Sequence, residues 1–176
     1  SQISEPATVV YQKRKQYLHW LLGRAADRYQ AISGEQYRPE LVYETSLDQS
    51  PPSTLLQQSR ERDWQAQRTT LGIHRDDIGI YLDGGPFRQL ASQGQRKSLL
   101  FALKMSAFDL LKTHKGFAPI LLLDDVFEKL DEGRMQNLLQ ETCIENGGQV
   151  LLTDTHPERI KKSLDRLSVN YRLITL

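Results

Sequence analysis

The stretch ILLLDD, residues 120–125, decides how this chain of 176 residues folds. Four consecutive apolar residues are typical of a buried strand in a parallel sheet. The strand ends on Asp124 and Asp125, and ligands of open α/β sheets bind at the carboxyl edge of such strands. Two carboxylates there suit a magnesium ion and an attacking water, although aspartates that only cap an exposed loop give the same pattern.

Helices and strands alternate on both sides of this run. Before it, alternating apolar residues lead into an Asp-Gly-Gly turn, which indicates a hairpin, and an amphipathic helix follows. The predicted elements are a strand at 78–82, a helix near 92–111, a strand at 120–123, a helix at 132–143, a strand at 149–155, a helix after Pro157 and a last strand at 171–176. The pattern predicts an α/β lobe with a largely parallel sheet flanked by helices.

The first 71 residues have a different pattern and predict a short, mostly helical arm. Apolar residues at helical spacing over 6–32 end at Ser33-Gly34, a strand is expected at 40–47, and a polar helix begins at Pro51 and runs to about Thr70. We therefore expect an arm over 1–71, with a small core of its own, and a lobe over 72–176.

Composition excludes several classes of protein. The 23 basic and 22 acidic side chains nearly cancel, so any contact with DNA must come from a local patch. Cys143 is the only cysteine, which excludes an internal disulfide and fits a reducing compartment. No apolar run approaches the roughly 18 residues of a membrane span, and residues 1–8 do not have the pattern of a signal peptide. We expect a cytoplasmic protein without a membrane partner.

A second motif, SQGQRK at residues 92–97, opens the helix before the buried strand. Ser92 and Gly94 would offer a hydroxyl and unpaired amide hydrogens at a helix start, which together can bind an anion without a lysine. The same residues also fit an ordinary N-cap with a tight turn.

The order of these motifs resembles that of ABC-type ATPases. SQGQR, ILLLDDVFEKLD and VLLTDTH correspond to the signature, the Walker B and D-loop segment, and the switch region. The sequence from GIHRDDI to APILLLDDVFEKLDEGR is similar to the carboxy-terminal half of the RecF family of recombination mediators. The resemblance is specific from about Leu71 to Ile160, whereas over the arm only the layout matches.

The resemblance implies a role for each signature residue. The signature would close over the γ-phosphate of ATP bound to the other protomer of a dimer, and it comprises Ser92, Gln93, Gly94 and Gln95, followed by Arg96.

The remaining site residues also follow from the resemblance. Asp124 would be the Walker B carboxylate that binds Mg²⁺, and Asp125 would orient the attacking water. Most ABC proteins have glutamate at the second position, so we expect slow turnover. Asp131 would lie in the D-loop, and Thr155 or His156 would sense the γ-phosphate, unless His156 only precedes Pro157 at a helix start.

Other polar segments leave two interpretations open. HRDD at 74–77 matches the family, and its Arg75 would either pair with Asp77 or reach the nucleotide. The scattered histidines and single cysteine make a zinc site improbable. Basic residues that would form a DNA-facing stripe or a solvated helix face are Lys13, Arg14, Lys15, Arg60, Arg62, Lys161 and Lys162.

A phosphate-binding loop of the form GxxxxGK[ST] is absent, since no Gly-Lys pair occurs in the sequence. We therefore expect a fragment, inactive alone, that needs an amino-terminal Walker A half to bind ATP. The resemblance implies a slow, DNA-stimulated ATPase that dimerises on ATP and clamps duplexes and single-strand/double-strand junctions.

RecR, RecO and RecA would be its partners in gap repair, recombination, replication and the SOS response. Two alternatives are another SMC/Rad50-like ATPase and a non-catalytic interaction module of ATPase-like shape.

Overall fold

The computed structural model describes residues 4–145 and 147–174. Its elements, in chain order, are α1 (Ser4–Ser33), β1 (Glu40–Glu44), α2 (Pro52–Ala66), β2 (Asp77–Leu82), β3 (Gly85–Pro86), α3 (Phe87–Leu90), α4 (Gln93–Lys115), β4 (Leu121–Leu123), α5 (Glu132–Leu139), β5 (Val150–Leu152) and α6 (Pro157–Leu167). A 3₁₀ turn, Ser46–Asp48, follows β1, and a π-helical turn, Gln140–Ile144, extends α5. No helix among the described residues has both the length and the hydropathy of a membrane span.

Two sheets form the strand layer. β4 and β5 pair in parallel, with Leu122 opposite Leu151, and α5 lies in the connection between them. β1, β2 and β3 form an antiparallel sheet in that order. The α/β class with a parallel sheet and a helical amino-terminal arm is confirmed, but the sequence did not predict the antiparallel pairing of β1 with β2.

The hairpin between β2 and β3 has the backbone that its sequence requires. Asp83 and Gly84 both have positive φ, 50° and 77°. Positive φ at both central residues is the requirement of a type I′ turn, whose twist matches that of the flanking strands. The predicted hairpin is therefore confirmed.

The long helix α1 is about 45 Å in length at 1.5 Å per residue, and it packs along α4 and also contacts α5. Tyr29 and Ile32 are fully buried in the same core as Phe127 and Leu138 of the lobe. The Tyr29 ring meets that of Phe87 edge to face, with centroids 6.0 Å apart. The expectation that the arm has a separate core is thus wrong for the end of α1.

A partly buried ion cluster reinforces the packing of α1 on α4. The guanidinium of Arg28 donates to Asp109 at 2.6 Å and also contacts Glu141 of the π-helical turn. Arg24 reaches the same Asp109 carboxylate at 3.1 Å. Burial raises the pKa of Glu141, while the neighbouring Arg28 charge opposes that rise. These ion pairs join three elements that are far apart in the sequence.

The predicted last strand is wrong over its described part. Residues 171–174 have no regular secondary structure, and residues 175–176 lie outside the described ranges. The side chain of Tyr171 instead donates a hydrogen bond to Asp165 at 2.8 Å. A β-favouring sequence forms a strand only when an edge is available to pair with it.

Candidate functional site

The two adjacent carboxylates lie where the parallel strands end. The N–H of Thr153 donates to the carbonyl of Leu123 at 2.9 Å, which continues the pairing one residue beyond β5. The Thr153 hydroxyl donates to Asp124 Oδ1 and accepts the N–H of Asp125 at 3.2 Å. One threonine therefore fixes both the Asp124 side chain and the Asp125 backbone at the carboxyl edge.

Asp125 has a left-handed backbone, with φ of 47°. A residue other than glycine in this region costs on the order of 1 kcal/mol and persists only when its surroundings hold it. Lys97, in the first turns of α4, supplies part of that support. Its Nζ donates to the carbonyl of Asp125 at 3.2 Å and to that of Glu128 at 2.8 Å. The start of α4 is thus tied directly to the loop that carries the carboxylates.

The SQGQ turn forms a complete capping box at the start of α4. The Gln95 N–H donates to Ser92 Oγ at 3.2 Å, and the Ser92 N–H donates to Gln95 Oε1 at 2.8 Å. The amides of Gln93 and Gly94 lie in the first turn, where a helix has no internal acceptor for them. The N-cap interpretation is therefore confirmed, and Gln93, whose amide has no acceptor within the helix, is exposed.

Gly94 lets this turn approach the segment that precedes α5. A Cβ on Gly94 would lie 2.9 Å from Arg134 Nη1 and 3.4 Å from the carbonyl oxygen of Lys129. Gly94 is buried in this contact. Its role here is therefore close approach, because any side chain would have to displace the Arg134 guanidinium.

The outer residues of the signature differ in their surroundings. Gln93 is exposed to solvent. Arg96 is also exposed, and its Nη2 donates to the carbonyl of Arg88 at 2.7 Å. Arg96 therefore ties the start of α4 to the short helix α3.

Asp131 caps α5. Its Oδ1 accepts the N–H of Arg134 at 2.8 Å, and its Oδ2 accepts Arg134 Nη1, also at 2.8 Å. Just before it, Lys129 has a left-handed φ of 64° and Leu130 is buried. The predicted D-loop is therefore a tight turn whose conformation depends on Asp131, while a contact with nucleotide stays a prediction.

The segment after β5 is organised by Asp154. Its side chain is only 1% exposed, and it accepts the His156 N–H at 2.7 Å and Arg159 Nη2 at 2.8 Å. Burial opposes ionisation, but the His156 N–H and the Arg159 guanidinium outweigh it and hold the pKa of Asp154 below its usual range. Thr155 and His156 are exposed, with 2.9 Å between Thr155 Oγ1 and His156 Nδ1. Both candidate sensors are thus adjacent to a buried, hydrogen-bonded carboxylate.

Thr153 and Asp154 of this region were not singled out from the sequence, and Lys97 was noted at the helix start without a role. Thr153 follows β5 just as Asp124 follows β4, so the parallel register could have identified it. Asp154 follows the same apolar run, which is a weak signal for a buried acid. Lys97 carries no local signal, because its acceptors lie 28 and 31 residues away.

Residues of the HRDD segment form hydrogen bonds with the preceding loop and with β1. Arg75 Nη2 donates to the carbonyl of Thr69 at 3.2 Å, and Asp77 accepts a backbone hydrogen bond instead of an arginine. The side chain of Asp76 is 3% exposed and accepts the hydroxyl of Tyr43. Neither the Arg75–Asp77 pair nor a contact of Arg75 with the carboxylate loop is found among the described residues.

The basic cluster on α1 is partly engaged within the chain. Arg14 Nη1 donates to the carbonyl of Ile73 at 2.6 Å, and Lys15 pairs with Asp48 at 2.5 Å. Lys13 is exposed. Arg14 and Lys15 would therefore have to leave partners before binding DNA. The other exposed basic residues of the predicted stripe are Arg60, Arg62, Lys161 and Lys162.

Comparison with curated proteins identifies relatives along nearly the whole chain. "DNA replication and repair protein RecF" of Flavobacterium johnsoniae is 37% identical over 175 residues, which is 99% of this chain and 49% of the relative. The RecF proteins of Azobacteroides pseudotrichonymphae and Bacteroides thetaiotaomicron are 35% and 32% identical over 98% and 97% of this chain. No family model matches.

This chain is homologous to about half of RecF. Two solved structures have the same fold, with TM-scores of 0.68 and 0.67. They are the recombination mediator protein RecF-ATP and RecF-ATPrS in the RecFOR pathway, which are 24% and 25% identical and match 89% and 88% of this chain. The chain covers 44% and 43% of those proteins. The predicted resemblance to the carboxy-terminal half of RecF is confirmed, and the chain spans about half the length of the RecF relatives.

Proposed function

We propose that the chain is part of a RecF-like DNA-repair ATPase that binds ATP between two protomers. The observation that carries this proposal is the pair of Lys97 hydrogen bonds, which join the start of α4 to the loop after β4. These bonds keep the start of α4, a type of site that can bind an anion, close to the loop that carries the two carboxylates. Hydrolysis between protomers depends on such preorganised groups. The RecF relatives and the RecF-ATP structure support the same assignment.

Asp124 would bind Mg²⁺, and Asp125 would act on the attacking water. Asp124 is exposed, and among the described residues only its Oδ1 takes a hydrogen bond, which leaves Oδ2 for Mg²⁺. Mg²⁺ prefers carboxylate, phosphate and water oxygens, so one protein carboxylate fits its needs. Asp125 would orient the attacking water. Its side chain is shorter than glutamate and reaches less far, so we expect slow turnover.

The signature would contact the γ-phosphate held by the other protomer. Gln93 is exposed, and its amide belongs to the helix start, which carries partial positive charge. The Ser92 N–H is engaged in the capping box, so Ser92 would act through its exposed hydroxyl, and Gly94 would allow the close approach. Gln95 is engaged in the capping box, so we assign it the role of shaping the turn, while Arg96 lies beside it. Asp131 would keep the D-loop in place at the interface, and this set would become complete only in a dimer.

Thr155 and His156 are proposed as the sensor of the γ-phosphate. Both are exposed at the end of β5, the strand that pairs with β4. The side chain of His156 is 73% exposed. Its backbone N–H donates a hydrogen bond to the carboxylate of Asp154. Such a side chain can meet a ligand without moving the backbone.

Binding of ATP would require the Walker A segment of an amino-terminal half. The outer face of the parallel pair supports this, since Leu122 and Leu151 are 71% and 50% exposed. Apolar strand residues in parallel sheets are normally covered on both faces. We propose that the amino-terminal half covers this face.

DNA is proposed as the macromolecular partner, both as duplex and at single-strand/double-strand junctions. The exposed basic residues Lys13, Arg60 and Arg62 would supply phosphate contacts, which would make binding dependent on salt. By homology to RecF we extend the proposal to RecR, RecO and the loading of RecA in gap repair.

The test uses a protein of full family length that contains this sequence. We expect Asp125→Asn to keep ATP-dependent dimers while slowing hydrolysis, and Ser92→Arg to abolish the dimers. Light scattering in Mg²⁺ and ATP, with and without duplex DNA, measures the dimers, and phosphate release under the same conditions measures hydrolysis. Dimers that survive Ser92→Arg would contradict the proposal and favour a non-catalytic interaction module.

A further inference from the structure

The end of the arm helix is joined to the start of α4 by one carboxylate, that of Glu35. Its Oε2 accepts Gln95 Nε2 at 2.8 Å and the hydroxyl of Tyr29 at 3.2 Å. Gln95 is the residue whose carbonyl oxygen closes the capping box with Ser92. Glu35 therefore orients the side chain that shapes the signature turn.

The same carboxylate also reaches the segment that leads into α5. Arg134 Nη2 pairs with Glu35 Oε1, while Nη1 of the same guanidinium pairs with Asp131 at 2.8 Å. The side chains of Glu35 and Arg134 are 21% and 18% exposed, so water competes little for these bonds. Arg134 Nε is buried and has no partner within the described residues. Without Glu35, this guanidinium would retain one carboxylate for its charge.

The hydroxyl of Tyr29 donates to the same carboxylate. Burial of the Tyr29 ring, followed by the Glu35 charge, raises the pKa of the Tyr29 hydroxyl well above its usual range. Tyr29 thus stays neutral and donates to the carboxylate. Because Tyr29 is fully buried in the core, Glu35 is anchored to the folded body as well as to the two turns.

We propose that Glu35 is a positioning residue that holds the signature turn and the D-loop in a fixed relation to the arm. In this role it acts through Gln95 and through Arg134. Charged hydrogen bonds of this kind are stronger than neutral ones, and a misplacement of about 1 Å at a reacting site can cost about 100-fold in rate. The arm would thereby be connected to the two segments that are proposed to meet the neighbouring protomer.

This inference rests on the proposed function, and its test separates the two. In the full-length protein, we expect Glu35→Ala to lower kcat of DNA-stimulated turnover by about tenfold or more and to weaken ATP-dependent dimerisation. The affinity of the monomer for ATP should stay unchanged, because the Walker A half would supply that binding. A general loss of structure would instead lower both kcat and the affinity of the monomer for ATP.

The matched control is Asp27→Ala, which removes a different arginine-paired carboxylate, one that lies within α1. Asp27 accepts Arg38 Nη2 at 2.8 Å, and its side chain is 69% exposed. We expect this variant to keep full turnover. Glu35→Gln retains an oxygen acceptor and should recover part of kcat.

The outcomes are distinct. Loss of turnover with Ser92→Arg but normal kcat and dimerisation with Glu35→Ala would overturn the role of Glu35 and leave the proposed function standing. Equal losses in Glu35→Ala and Asp27→Ala would also overturn it. If Ser92→Arg itself has no effect, the proposed function fails first.

Discussion

The hydroxyl of Thr153 donates a hydrogen bond to the carboxylate of Asp124 across the parallel strand pair. The same oxygen accepts the N–H of Asp125, so the ends of β4 and β5 are joined by a single side chain. This side chain gives the Asp124 carboxylate and the Asp125 backbone a defined geometry before any ligand arrives.

Replacement of Thr153 tests that geometry. Thr153→Val keeps the shape but removes the hydroxyl, so we expect unfolding free energy to fall by about 1 kcal/mol. The Mg²⁺ concentration for half-maximal ATP turnover of the full-length protein should rise, because Asp124 loses its fixed orientation. Thr153→Ser keeps the hydroxyl and should behave as the parent. Equal metal dependence in Val and Ser variants would contradict this role.

Lys97 is expected to stabilise the carboxylate loop. Lys97→Met keeps the aliphatic stem and removes two hydrogen bonds to carbonyls, at a cost of about 1 kcal/mol. Lys104→Met is the matched control, since Lys104 is exposed on the same helix. Urea unfolding of the three proteins measures the difference. Identical midpoints for the two variants would show that the Lys97 contacts add nothing.

Gly94 and Gly23 both lie in helices, but we expect replacement by alanine to affect stability and dimerisation differently at the two positions. No atom lies within 4 Å of a Cβ at Gly23, so Gly23→Ala should stabilise α1 by about 1 kcal/mol. Gly94→Ala should gain less, because the new methyl group displaces Arg134. We expect it to abolish ATP-dependent dimerisation of the full-length protein. Equal stabilisation by both substitutions would refute the close approach at Gly94.

The buried carboxylate of Asp154 predicts a pH-dependent stability. Its pKa is lowered in the folded chain, so its contribution is present above the unfolded value and is lost as pH falls through the folded value. Asp154→Asn should therefore cost about 2 kcal/mol near neutral pH and progressively less below pH of about 4. Unfolding curves across this range test the prediction, with exposed Asp165→Asn as the control. A cost that does not change with pH would contradict it.

The position of the carboxylates could be predicted because it depends on local pattern. An apolar run followed by Asp124 and Asp125 defines a strand end, and parallel pairing places Thr153 opposite them. The Asp83-Gly84 turn likewise follows from backbone preference alone. The capping box at Ser92 follows from residues three positions apart.

Other features could not be predicted because they depend on distant partners. Glu35 meets Arg134 across 99 positions and Gln95 across 60, and no periodicity encodes such contacts. Pairing of β1 with β2 was missed for the same reason. Residues 171–174 have strand-like composition, yet a strand also needs a neighbouring edge.

The most direct test of the central claim is Mg²⁺-dependent ATP turnover by the full-length protein, with and without duplex DNA, beside the Ser92→Arg variant. We predict DNA-stimulated turnover that Ser92→Arg removes without loss of the folded state, which thermal unfolding would verify. Turnover unchanged by this substitution would contradict the claim that SQGQR completes the ATP site of a neighbouring protomer.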